Sequence, residues 1–269
     1  MKNLPNTDRR FSFWAGWKEQ WLSVLLPGLT LFLLLVFWEI FVRQAAIEKW
    51  LLPSPLQIVQ SLWQSKELIL QHSLQTLAET ALGFIVAVAA GITAATLIDL
   101  STLLRKAVYP LLVISQTIPI IAVAPLFIIW FGYGLLPKVV VVALVCFFPI
   151  TVNLADGYRQ VDPEMLRLMA AWGATRSQVF RIVKIPAAMP FFFSGLRIAG
   201  TYSVMGAVIG EWLGASKGLG ILMTRSSQSF LTDRVFATIM VISLLSLLVI
   251  ALIEGLARVV MPWYYRRGE

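Results

Sequence analysis

Two carboxylates, Glu79 and Glu211, fall within or at the edge of long apolar runs. An acid in hydrocarbon is expensive, and such groups recur on transport and gating paths. Gln116, Thr117, Asn153, Tyr202 and Ser203 are further polar groups inside apolar runs. They can bond neighbouring helices or touch a passing solute, and none completes a charged cage. Other chemistry is sparse. One histidine, His72, is expected as a polar tip near the end of a run, and one cysteine, Cys146, excludes an intramolecular disulfide and any multi-cysteine metal site. The chain has no H-E-x-x-H, no G-x-S-x-G and no phosphate loop. GASKGLG at 214–220 lacks the Gly-Lys-Ser/Thr ending and reads as a turn. A membrane enzyme would need titratable groups converging at one depth, and these residues are scattered.

The elements that hold these groups are membrane helices. The 269 residues are 58% hydrophobic and 13% charged, against about 25% charged in a soluble domain. A span takes roughly 20 apolar residues. Six are expected, near 22–42, 75–98, 108–131, 136–155, 190–212 and 235–260. Backbone polar groups in lipid must satisfy one another, so these are helices and the fold is an all-α integral membrane protein. The expected organisation is a cytoplasmic tail at 1–21, one transmembrane domain over 22–262 with a loop at 156–190, and a cytoplasmic tail at 263–269. The first run is too long for a cleaved signal, and no small-residue cleavage site follows it. Trp14, Trp17 and Trp21 before it, and Trp38 and Trp50 after, suit an interfacial belt.

Pro110, Pro119, Pro125 and Pro149 interrupt the third and fourth spans. Gly83-Ala87-Gly91 and Gly206-Gly210 are rows of small residues that let helix backbones approach closely. Outside the spans, 55–71 carries Ile58, Leu62, Ile69 and Leu70 and is expected as a short amphipathic surface helix. The 212–234 stretch is expected to fold back at the outer face.

The net charge of +8 is explained by topology, which argues against nucleic acid as a partner. With both ends inside, fourteen Lys/Arg lie inside and seven outside, with Arg197 in a span. The inner set is Lys2, Arg9, Arg10 and Lys18, then Arg105 and Lys106, then Arg159, Arg167, Arg176, Arg181 and Lys184, then Arg258, Arg266 and Arg267. That bias predicts an N-in, C-in orientation.

The loop at 156–190 is a helical hairpin by its own signals. Asp162-Pro163-Glu164 is a helix start: a capping side chain, proline at the first position and an acid in the first turn. Met165, Leu168, Met169 and Trp172 form one apolar stripe. Gly173 stops that helix where a left-handed residue is wanted. Thr175-Arg176-Ser177-Gln178 is a capping box for a second helix, expected to run through Val179, Phe180, Ile182 and Val183 and stop before Pro186. An amphipathic hairpin at a membrane surface needs a soluble partner or lipid over its apolar face.

The hairpin resembles the EAA loop of the permease subunits of binding-protein-dependent ABC importers. Gly173 takes the motif's glycine, Val183 its isoleucine, Ile185 its leucine and Pro186 its closing proline, thirteen residues on. Arg167, Leu168 and Met169 stand where the family has Glu-Ala-Ala, which inverts one charge. LPSP at 52–55, PLFIIWFGYG at 125–134, FFPI at 147–150, Gly195-Leu196-Arg197 and GEWLGASKGLG at 210–220 resemble one branch. It includes nitrate, aliphatic sulfonate, taurine and thiamine-pyrimidine-precursor importers.

The resemblance implies a type I ABC importer permease fold in a bacterial cytoplasmic membrane. It implies a permease homodimer, an ABC ATPase subunit dimer and an extracytoplasmic solute-binding protein. ATP and magnesium would be held by the ATPase and no cofactor by this chain. Arg167, Ala171, Trp172, Gly173, Ala174, Thr175 and Arg176 would couple to the ATPase. Glu79, Gln116, Thr117, Asn153, Tyr202, Ser203 and Glu211 are the path candidates. The rival readings are an ion-coupled secondary carrier and a polytopic membrane enzyme.

Overall fold

In a computed structural model, the chain is described over residues 9–265, with side chains from residue 25 onward. The side chains of Lys2, Arg9, Arg10, Trp14, Trp17, Lys18, Trp21, Arg266 and Arg267, on which part of the tail, belt and charge readings rest, lie outside the described residues. Twelve helices follow in order among the described residues: α1 (Arg9–Gln44), α2 (Pro55–Gln64), α3 (Lys66–Leu100), α4 (Thr102–Ser115), α5 (Ile120–Phe131), α6 (Leu135–Arg159), α7 (Pro163–Ala171), α8 (Arg176–Val179), α9 (Ile185–Trp212), α10 (Leu219–Gln228), α11 (Thr232–Val260) and α12 (Pro262–Tyr265). Five of the apolar stretches are long enough to cross a membrane as helices, and the pair α4–α5, bent by 102°, makes a sixth when the two helices are taken as one span.

That bend corrects the expectation of one continuous span at 108–131. Pro119 has no N–H and restricts Ile118, so the helix ends at Ser115 and restarts at Ile120. Pro110, Pro125 and Pro149 stay inside their helices. The segment at 55–71 is also not one surface helix. It is α2 and the first turns of α3, divided at Ser65, whose N–H bonds the Ser61 carbonyl. Ile58 and Ile69 are buried together with Leu219, Leu222 and Ala237, so the apolar face expected there packs on α10 and α11.

The core is built around α6, which packs most extensively on α9 and α3. The two rows of small residues make that possible. Gly83 and Gly206 both face Val142, Gly91 faces Ile150, and Gly210 faces Lys138. Ala87, Val142, Cys146, Ile150, Phe193, Leu196 and Ala199 form one buried cluster where the three helices meet. On the far side of α9, Arg197 donates to Glu254 of α11 at 2.9 Å and to the Tyr265 hydroxyl at 2.8 Å, fastening α11 and α12.

Buried polar groups fasten the segment after α9. Glu79 and Glu211 have no exposed surface. Lys138 Nζ and Gln75 Nε2 both donate to Glu79 Oε1 at 2.7 Å. Thr76 donates to Glu211 Oε1 at 2.6 Å and accepts from the Leu219 N–H at 2.8 Å. The Gly220 N–H donates to Glu211 Oε2. His72 is buried as well, its Nδ1 against the backbone of Gly218. The expected polar tip is therefore a tether, and the GASKGLG turn is docked on α3. Gly218 sits at φ +130° directly over the Glu211 carboxylate, where a side chain would collide.

Two expected outcomes test this packing. At Gly195 an added methyl would stand 2.7 Å from the Pro149 carbonyl oxygen, which is backbone and cannot move aside. Gly195→Ala should destabilise the purified protein by about 1–3 kcal/mol, read as a lowered melting temperature, while Gly255→Ala, with open space around it, should not. Lys138→Met strands the buried Glu79 carboxylate without its cation and should cost about 3–5 kcal/mol. The double variant Glu79→Gln/Lys138→Met should recover most of that loss in the same melt.

Candidate functional site

The hairpin forms as its local signals dictate. The Asp162 carboxylate accepts from the Glu164 N–H at 2.8 Å and caps α7. Gly173 sits at φ +72°, the left-handed value that reverses the chain, with open space around its α-carbon. Thr175 Oγ1 accepts from the Gln178 N–H while Gln178 Oε1 accepts from the Thr175 N–H, completing the box. Arg167, Ala171, Trp172, Thr175 and Arg176 are exposed and Ala174 is half-buried. Of the apolar stripe, only Met169 is buried. Met165, Leu168 and Trp172 stand in the open, Trp172 with 75% of its surface exposed. The hairpin thus presents an apolar strip edged by arginines, which none of the described residues covers.

The second hairpin helix does not stop before Pro186, contrary to the sequence expectation. After α8 the backbone widens into a π-helical turn at Phe180–Lys184, where the Ile185 N–H bonds the Phe180 carbonyl five residues back. The wider turn makes room for the Pro186 ring, which in α geometry crowds the carbonyl four residues earlier. The chain therefore runs as one helical rod from Arg176 to Trp212. The length beyond the π turn alone is about 42 Å at 1.5 Å per residue. The hairpin sits at one end of that rod and the docked GASKGLG turn at the other.

Midway along the rod, α9 walls a cavity of about 560 Å³. Its other walls come from the α4–α5 bend and α6. Ser115, Gln116, Pro119, Phe148, Pro149, Ile198, Tyr202 and Met205 are among its lining. Among the described residues, no charged side chain lines it. Irregular backbone at membrane depth is tolerated where it borders such a cavity. The missing N–H of Pro149 also leaves the Val145 carbonyl without its helical donor, and both residues line the cavity.

The path candidates are divided among three places. Gln116 and Tyr202 line the cavity. Thr117 is exposed on the bend beside it, its hydroxyl bonded to the Ile114 carbonyl. Asn153 is half-buried and donates to the Pro149 carbonyl at 2.8 Å. Ser203 is buried and bonds Gly200 within α9, while Glu79 and Glu211 lie in the buried network that holds the turn. The apolar lining residues Phe148, Ile198 and Met205 escaped sequence reading because apolar side chains carry no local mark of a cavity. Pro119 and Pro149 were the available signal.

Comparison with known proteins agrees with this geometry. A formylaminopyrimidine transport permease protein, ThiX, of Halalkalibacterium halodurans is 42% identical, covering 90% of this chain and 96% of its own. A riboflavin transport system permease protein, RibX, of Chloroflexus aurantiacus is 36% identical and covers 91% of each chain. A chain of the MetNI methionine ABC transporter in an inward-facing form superposes with a TM-score of 0.61 at 19% identity. It covers 78% of this chain and 98% of its own, which places the fold among type I ABC importer permeases. The family model for the inner membrane component of binding-protein-dependent transport systems matches residues 87–262. The chain belongs to that family and is a permease subunit of an ABC importer, a transport component and not itself a catalyst.

Proposed function

We propose that this chain is one half of a homodimeric permease whose hairpin at 156–190 seats in a separate ATPase subunit. ATP and magnesium are held there and none by this chain. The observation that carries the reading is the unbroken rod from Arg176 to Trp212. One end is the exposed hairpin and the middle is a cavity wall, through Ile198, Tyr202 and Met205. A push on Arg176, at the end of the rod beside the Gly173 reversal, is therefore delivered to the cavity along one continuous helix. Arg167 offers a cation where the resembled motif has an acid, so the facing ATPase groove is acidic there.

The second copy covers the open side of the cavity. Leu111, Ile114, Ile118, Ile121 and Ile129 form an exposed apolar face around it. Lipid covers the outward face of α1, where Leu29, Phe32, Leu33 and Phe37 are exposed. Both termini and the hairpin lie in the cytoplasm, following the bias of lysine and arginine. The solute-binding protein docks at the opposite end, near α2 and the turn before α10.

The solute is a small uncharged planar ring. The cavity offers Ser115, Gln116 and Tyr202 for hydrogen bonds and Phe148 for stacking, with no cation to hold a sulfonate or nitrate. The names of the two permeases reported above, for formylaminopyrimidine and riboflavin, fit that chemistry.

Topology is checked with single cysteines at Ser177 and Ser216 in a Cys146→Ala background. An impermeant reagent added outside intact cells should label only the second, and labelling of both would refute the orientation. Coupling is checked with Gly173→Val, since a β-branched residue is strained at φ +72°. Membrane insertion should survive, and stimulation of ATP hydrolysis by loaded binding protein should fall by about an order of magnitude. Gln116→Leu should slow uptake of the native solute without converting the transporter to anions. Competition by sulfonate or nitrate against uptake in the native protein would contradict the uncharged-ring assignment.

A further inference from the structure

Asp99 stands in the last turn of α3 with only 3% of its side chain exposed. Both facts oppose a carboxylate: burial strips its water, and the C-terminal end of a helix already carries partial negative charge. Two cations from different elements compensate. Lys184, the last residue of the π turn, donates to Asp99 Oδ2 at 2.7 Å and to Oδ1 at 3.0 Å. Arg105, in the first turns of α4, donates to Oδ1 at 3.1 Å. Lys184 is 85 residues from Asp99 in sequence, and it stands at the end of the widened turn.

The neighbours repeat the same union. The Phe180 ring at the start of the π turn packs on Tyr158 of α6 at 5.3 Å between centroids. Tyr109 of α4 donates to the Asp156 carboxylate of α6 at 3.0 Å. Hairpin, α3, α4 and α6 are thus joined at one level, and among the described residues Asp99 is the one carboxylate there that touches both the hairpin rod and the α4–α5 arm.

We infer that Asp99 is a positioning residue for coupling: it transmits displacement of the hairpin rod, through Lys184 and Arg105, to the bent α4–α5 arm. The rod moves one wall of the cavity directly, and Asp99 makes the opposite wall move with it. This inference rests on the reading of the hairpin as the ATPase seat. Arg105 and Lys184 are a third and a quarter exposed, so their outer sides meet water while their contacts to Asp99 hold the rod and the arm together.

The test uses the whole transporter, reconstituted with its ATPase and solute-binding protein, and reads solute moved per ATP hydrolysed. Asp99→Asn should retain the ATPase and its basal hydrolysis but lower that ratio about fivefold or more. Lys184→Arg, which keeps the charge, should stay within about twofold of native. A native ratio in Asp99→Asn would overturn the assignment. If that variant fails to insert, Lys184→Met decides by the same criterion, because it leaves Asp99 its Arg105 partner. Loss of insertion or of the ATPase in both would make the cluster a folding element and equally overturn it. The hairpin reading is tested separately on the otherwise native chain, by cross-linking a cysteine at Ser177 to the ATPase. A cross-link together with a native ratio in Asp99→Asn defeats the role of Asp99 alone. Absence of the cross-link defeats the seat itself and the role of Asp99 with it.

Discussion

Lipid is as apolar as leucine, so burial gives two membrane helices little reason to associate. What remains is close van der Waals contact, and contact requires that backbones come near. The grip of α3 and α9 on α6 depends on this. Gly83, Ala87 and Gly91 on one side, and Gly195, Gly206 and Gly210 on the other, remove the side chains that would hold α6 away. The polar contacts follow from the same approach. Lys138 on α6 reaches Glu79 on α3 at 2.7 Å where Gly210 of α9 lies directly against the Lys138 backbone and stem. A buried ion pair of this kind contributes little net stability by itself, but it punishes any register in which one partner is missing.

Proline acts in opposite ways at two places. At Pro119 the helix breaks, and the 102° bend opens a cavity against α6 and α9. At Pro186 the helix persists, because the π turn before it gives the ring room. One site opens a cavity and the other keeps a rod continuous. The difference lies in what surrounds each ring. The turn before Pro119 closes with short bonds from Thr117 and Ile118 to Ile114 and Ser115. The turn before Pro186 instead keeps helical torsions at both its ends, at Val179 and Phe180 and at Lys184 and Ile185.

The sequence by itself determined what is local. Span number and helical class follow from apolar length, because a bilayer has one thickness and no water for the backbone. The Asp162 cap, the Gly173 reversal and the Thr175–Gln178 box were legible for the same reason: each is settled within four residues. Gln116 and Tyr202 were legible as polar groups in apolar runs, and both line the cavity. Tertiary structure alone decided where the other groups went. Glu79 and Glu211 read as acids near span ends, and packing closed them between α3, α6 and the docked turn. His72 read as a free tip, yet the backbone that it meets lies 146 residues away. Asp99 and Lys184 gave no signal of belonging together, since no period or spacing marks a pair 85 residues apart. Periodicity reports which face of a helix is apolar. Which helix meets that face, and at what height, is set by how closely the backbones approach.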